Sequence, residues 1–190
     1  QVRGMIDSEL LYGLDLVEED QLLFGDNTGA NLHGIQTQAT AFAAGTNTAV
    51  APNKIDVLLY AILQAGLTDI PPTGVVIHPT DWTSMRGLKD ADGRYILGDP
   101  ASQVQPNIFG LPVVPTQAQT VGNFLVGDFA GSATLFDRMQ ATVLVSTEDS
   151  DNFRRNLATL LAEKRLGLTV KRPEAFITGT FAAAITDLTS

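Results

Sequence analysis

Only two histidines occur in the 190 residues, His33 in a glycine-flanked loop and His78 just before a proline, so any base catalysis by imidazole would have to come from one of them. A nucleophilic serine working with either would need a sharp strand-to-helix turn to expose its hydroxyl, and no G-x-S-x-G segment is present. His78, Asp81 and Trp82 could still line an uncharted α/β active site, which is the distant enzymatic alternative. Gly25 to Gly29 is glycine-rich, but it follows a helical stretch instead of opening one and carries no lysine, so it does not cradle a phosphate. The turn DADG (90–93) has the look of a calcium loop. Placing Gly93 at the obligatory glycine puts Leu88 at the first ligand position and Asp99 at the twelfth, which removes the leading carboxylate and shortens the closing one. The acidic runs Glu18-Glu19-Asp20 and Glu148-Asp149 read as solvated flanks, because carboxylates are common in a chain with 21 acids. No catalytic residue, metal site or cofactor is expected.

The charge is unevenly spread. Net charge is −9, seven of the 21 acids lie between Asp7 and Asp26, and six of the 12 cations (Arg154, Arg155, Lys164, Arg165, Lys171 and Arg172) lie within residues 154–172. A chain this acidic is not a dedicated nucleic-acid reader, since phosphate contact needs concentrated lysine and arginine. The basic cluster is expected instead to meet acidic faces of neighbouring copies. Hydrophobic content of 44% suits a globular core, and the longest apolar runs are far too short to span a bilayer. With no cysteine, cohesion rests on packing alone. The chain opens on Gln1 without a leader pattern, as a processed product or a fragment would.

Periodicity gives the elements. Residues 5–24 repeat apolar side chains at steps of three and four, a long amphipathic helix that stops at Gly25. Residues 25–51 are small and polar and read as a loop. Residues 52–66 start at proline, repeat Ile55, Leu58, Leu59, Ile62 and Leu63, and end on glycine, which makes a second helix. Residues 74–77 are a buried strand, followed by a short helix capped by Thr80 or Asp81. Strands are expected at 94–97, 111–115, 123–129, 133–137 and 142–146, separated by Gly and Asn turns.

Several stretches in order resemble the major capsid proteins of tailed phages, the Hong Kong ninety-seven-like family: FGDNTGANLHGI (24–35), GVVIHPTDW (74–82), LKDADGRYILG (88–98), FGLPVVPT (109–116), VGDFAGSATLFDRMQATVLVSTED (126–149) and DNFRRNLATLLAEKRLGLTVKRPEAF (151–176). The resemblance implies an α+β capsid fold. It assigns residues 1–24 to a spine helix, 25–51 to a connection, 52–139 to an axial domain, 140–172 to a peripheral-domain sheet and 173–190 to a return into the axial domain with a tail. It further implies a self-assembling icosahedral shell around double-stranded DNA, held without sequence specificity. Its partners would be copies of itself in pentamers and hexamers, a portal, and a head protease or scaffold, with no membrane. Its place would be the virion capsid, assembled in the bacterial cytoplasm. An encapsulin-type compartment is the nearer alternative. Family members begin with an arm and an extended two-stranded loop, neither of which precedes the spine helix here, so the chain reads as truncated.

One reaction comes with the resemblance. Some members join a lysine of the extended loop to an asparagine of a neighbour with a glutamate assisting, and Asn156 and Glu163 occupy the matching positions in DNFRRNLATLLAEKR. The remaining cations 154, 155, 164, 165, 171 and 172 would then belong to an intersubunit basic surface.

Overall fold

The computed structural model describes residues 2–90, 92–97 and 106–189. Helix α1 (Val2–Phe24) is 23 residues long, about 35 Å, and buries only Leu23 fully. It ends because the chain must turn tightly: a Cβ on Gly25 would lie 2.2 Å from the Leu32 carbonyl oxygen, and one on Gly34 would lie 2.5 Å from that of Leu23. Gly34 N–H donates to the Gly25 carbonyl at 2.9 Å, which closes the loop between them. The following stretch is not loop throughout. A four-residue helix α2 (Ile35–Gln38) and a short strand β1 (Thr40–Ala41) form in it, because β1 finds a parallel partner supplied from the far end of the chain.

Helix α3 (Lys54–Gly66) starts two residues later than the proline at 52 suggests. Asn53 is its N-cap, accepting from the N–H of Ile55 and Asp56, while the Asp56 side chain accepts from Asn53 N–H in a complete capping box. Val57, Leu58, Ala61 and Ala65 form its buried face. Strand β2 (Gly74–Ile77) is buried along its whole length and leads into α4 (Pro79–Arg86). The α4 cap is His78, whose Nδ1 accepts from Thr80 N–H at 3.1 Å, and not Thr80 or Asp81. Pro79 at the first helical position fixes the backbone for that arrangement and frees Asp81 for other partners.

The strand expected at 94–97 does not form. Asp90 Oδ1 accepts from Asp92 and Arg94 N–H, and only a single bridge joins Lys89 to Tyr95, so the segment closes on itself and finds no neighbouring strand. Asp99, the closing position of the rejected calcium loop, lies outside the described residues.

Strands β3 (Asn107–Ile108), β4 (Leu111–Pro115) and β5 (Asn123–Gly127) follow. β6 (Ala133–Ser146) and β7 (Thr159–Val170) flank the short helix α5 (Asn152–Arg155), and a single 3-10 turn leads into β8 (Phe176–Thr180) and α6 (Phe181–Thr189). Six strands make one mixed sheet in the order β1-β8-β5-β2-β4-β3, and β6 pairs with β7 in a separate two-stranded ribbon. Side-chain alternation in the central strands splits the core in two. Phe124, Val126, Val75, Ile77 and Ile177 face α3 and α6, whereas Leu125, Val76 and Phe176 face Leu23 of α1 and Ile35 of α2.

The ribbon is one continuous pairing where the sequence suggested two strands. β6 passes through residues 138–141 with two register shifts, one between Asp137 and Met139 and one between Met139 and Thr142, which break the alternation without breaking the strand. The backbone therefore changes sheets at residues 128–132, upstream of the boundary at 139/140.

That joint is held by Asp128. Its carboxylate accepts from Ser132 Oγ at 2.9 Å and from Gly131 N–H at 3.1 Å. Burial pushes the carboxyl up, but the bonds from Ser132, Gly131, Ala130 and Thr73 outweigh it and hold it below the ordinary 3.8. A depressed carboxyl stabilises the fold above that value and loses its contribution as the pH falls below it. Asp128→Asn should therefore flatten the acid limb of a thermal-midpoint profile below pH 3.8. A parallel downward shift at all pH values would contradict this assignment.

Candidate assembly surface

Helix α1 is fixed to both sheets by adjacent carboxylates. Glu18 Oε2 pairs with the ammonium of Lys164 on β7, and Glu19 Oε1 accepts from Thr116 Oγ1 just past β4. The acidic run on α1 is thus not merely a solvated flank. Nothing in its local sequence distinguishes it from one, because its partners lie 97 and 146 residues away. Lys164 is held above the ordinary lysine range chiefly by its hydrogen bond to Glu18, against a downward pull from burial, with Asp137 and Asp15 adding attraction. A raised lysine stabilises below its unfolded value and stops doing so as pH climbs through the folded one, so loss of the lysine's proton weakens this tie in strong alkali. Between the helix and the ribbon lies a groove of 460 Å³ lined by Leu14, Val17, Glu18, Gln21, Asn31 and Lys164 among others.

Lys164 must therefore be removed from the basic intersubunit surface: its charge is spent inside the chain. The rest of that set is also not one patch. An extended strand rises about 3.3 Å per residue, so the 12 residues of β7 spread the cations over roughly 35–40 Å. Arg154 and Arg155 sit at the ribbon tip, Arg165 on its stem, and Lys171 and Arg172 at its base, all exposed. Arg155 lies 3.8 Å from Asp151 and Arg165 lies 3.9 Å from Glu163, exposed pairs of small energetic weight. With Glu148, Asp149 and Asp151 beside two arginines, the tip is not basic overall.

Asn156 caps α5 in the left-handed region, with φ 54° and ψ 45°. Asparagine tolerates that conformation better than most side chains, which is a structural reason for its presence. Leu157 N–H donates to Asn152 O at 2.9 Å, and Asn152 Nδ2 donates to Thr159 Oγ1, closing the tip. The exposed Asn156 and the half-buried Glu163 are not brought together within one chain. Glu163 pairs with Thr142 four residues up the strand from Thr159, a rise of about 13 Å before the tip begins.

The His78, Asp81 and Trp82 grouping does not form a reactive site. His78 is occupied as a cap, and Trp82 packs against the core. Asp81, 2% exposed, accepts from Lys54 Nζ at 2.8 Å and from Gly122 N–H at 2.6 Å. Both carboxylate oxygens are committed to holding α3, α4 and the turn before β5 together. Among the described residues no helix is long and apolar enough to cross a membrane.

What the ribbon does expose is apolar surface. Leu144 faces Leu161 and Val145 faces Leu160 on opposite sides of two strands, and all four are exposed. Phe153 at the tip is 85% exposed, and Met5, Tyr12 and Leu16 lie open on α1. A two-stranded ribbon has no second layer to bury such residues, so they await cover from outside the chain.

The comparisons agree with that picture. The chain is 45% identical over 182 residues to the major capsid protein of Enterobacteria phage HK97, covering 96% of this chain and 47% of that one. The chain thus spans about half the length of the curated relative it matches. Its fold is similar to the capsid of an empty GTA particle, with a TM-score of 0.75, 19% identity, and 95% of this chain and 66% of the other covered. It is likewise similar to a Gordonia phage Cozz structure, with a TM-score of 0.73, 17% identity, and 94% and 63% covered. The phage capsid family model matches residues 1–181. An α+β chain whose long first helix ties a six-stranded sheet to a partly uncovered ribbon, and whose matches run through nearly its whole length, belongs to the phage capsid family.

Proposed function

We propose that the protein of which this chain is part is the major structural subunit of a phage head, assembling with copies of itself into a closed icosahedral shell around double-stranded DNA. The observation that carries this reading is the apolar surface left open on both faces of the ribbon and along α1, which only many-fold contact can bury at once. In this reading α1 is the spine, the six-stranded sheet with α3, α4 and α6 is the axial domain, and the β6–β7 ribbon is the peripheral one. DNA is enclosed without being read, because the net charge is −9 and the cations are dispersed. Pentamers and hexamers, a portal, and a head protease or scaffold complete the expected assembly in the bacterial cytoplasm, ending in the virion. Electron microscopy and sedimentation of the full-length protein test this. Closed shells or capsomer rings are expected, and a monomer at every concentration and salt condition would overturn it.

The shell is further strengthened, in this reading, by a covalent bond at Asn156. A neutral lysine amine from another copy attacks the side-chain amide carbon of Asn156, an N–C bond forms, the C–N bond to the amide nitrogen breaks, and ammonia leaves. Glu163 of a neighbouring copy takes the proton released by the attacking nitrogen and passes it to the departing amide nitrogen, which completes the ammonia. Asn156→Asp keeps a residue that tolerates positive φ but removes the amide. Particles should still form, and the ladder of covalent multimers on a denaturing gel should vanish. A ladder unchanged in the variant would exclude Asn156 as the acceptor.

A further inference from the structure

The turn between β3 and β4 contains a conformational anomaly. Ile108 pairs with Leu111, leaving a two-residue connection in which Phe109 has φ 50° and Gly110 has φ 80°. Positive φ at both positions is the pattern of a type I′ turn, which favours Asn-Gly because bulky side chains are strained there. A phenylalanine in the first position strains the backbone, and the residue is 51% exposed, so burial against the described residues compensates little of it. A bulky side chain held in a costly conformation and aimed at solvent calls for a role outside the subunit.

The surface that fits it lies on α3. Leu59, Leu63 and Leu67, the last at the helix C-cap, recur every four residues on the face turned away from the core and are 42%, 44% and 76% exposed. The two surfaces share an electrostatic property that few others here have. Residues 57–68 and 106–127 contain no charged side chain, in a chain with 33 of them, 12 basic plus 21 acidic. These 190 residues carry −9, and two such patches can meet without burying a charge or opposing like charges from within either segment. They are also unlike each other and mounted on different parts of the mixed sheet. β3 forms one edge, while α3 packs over β5 and β8. Two unlike patches meeting head to tail generate a ring, which a self-complementary patch does not.

We propose that Phe109 of one copy inserts into the Leu59–Leu63–Leu67 stripe of the next copy and is an anchor of capsomer rings. The proposal rests on the shell reading above. Phe109→Asn supplies the residue that the turn prefers, so the subunit should unfold at the same or a higher temperature while ring association weakens on the order of tenfold or more. A phenylalanine that merely served the fold would shift the two in the same direction, and unchanged association would overturn the proposal. These 190 residues hold no cysteine, so with any cysteine elsewhere in the full-length protein replaced by serine a direct second test is possible. Full-length Phe109→Cys and Leu63→Cys proteins are mixed, assembled and oxidised, so that any disulfide between the two types must join different copies. Dimers on a non-reducing gel that are absent from either protein alone are expected. Assembled particles without them would overturn the proposal, whereas failure of the parent protein to assemble at all would count against the shell reading instead.

Discussion

Replacing Phe124 with alanine should cost about 3–5 kcal/mol of stability, the range for truncating a fully buried aromatic. Phe124 is 0% exposed on the central strand β5, with the Phe42 ring at 5.9 Å edge-on and the Phe181 ring at 5.1 Å. Its removal takes away burial and leaves a void between three elements that cannot collapse: β1 and β8 are fixed by ladder bonds, and Phe181 N–H is bonded to Gly122 O at 2.8 Å. A single domain holds only about 5–15 kcal/mol in all, so the variant should lose a large share of its stability. Chemical denaturation read by circular dichroism checks this. A loss below about 1 kcal/mol would mean the three rings do not form one packed unit.

The second large effect is expected at Asp81. Asp81→Ala removes the acceptor for Lys54 Nζ and for Gly122 N–H together, leaving a cation and a backbone donor unpaired. Breaking a buried pair costs about 3–5 kcal/mol, and the lower end applies because the Lys54 side chain is 31% exposed and water reaches it. Adding Lys54→Met to Asp81→Ala should restore part of that loss, since no unpaired charge is then left, though Gly122 N–H remains without its acceptor. A double variant as unstable as the sum of the two singles would show that the ion pair is not what couples α3 to α4.

Where a signal was local, residues predicted structure well. The apolar repeats of α1 and α3 lie within a turn or two of the residues they affect, and the continuous Val-Val-Ile of β2 marks a strand buried on both faces. The misplacements were also local in origin. A proline at 52 outweighed the asparagine after it, and Thr80 and Asp81 looked like better caps than His78. At 94–97 the β-type residues had no partner strand in reach, and strand propensity without a ladder forms nothing.

The candidate surface was less legible. The six cations of 154–172 looked like a cluster because they are close in number, yet β7 is extended and carries them apart, and Lys164 turns inward to Glu18. Asn156 and Glu163 came from family resemblance, and the fold adds only that one is a left-handed cap and the other sits well up the strand. Phe109 carried no warning, because φ is set by the strand pairing on either side of it and not by the dipeptide Phe-Gly.

By itself the sequence determined the long helices, the buried strand β2 and the capsid family, all properties of neighbouring residues or of the whole ordered pattern. Only the tertiary structure decided that β8 returns from the C-terminus to lie between β1 and β5, and that Glu18 and Glu19 each hold a different sheet. It also decided which apolar residues were left uncovered. Contacts across 97 or 146 residues leave no periodicity in the chain, since each is made by closing the fold and not by any step along the backbone.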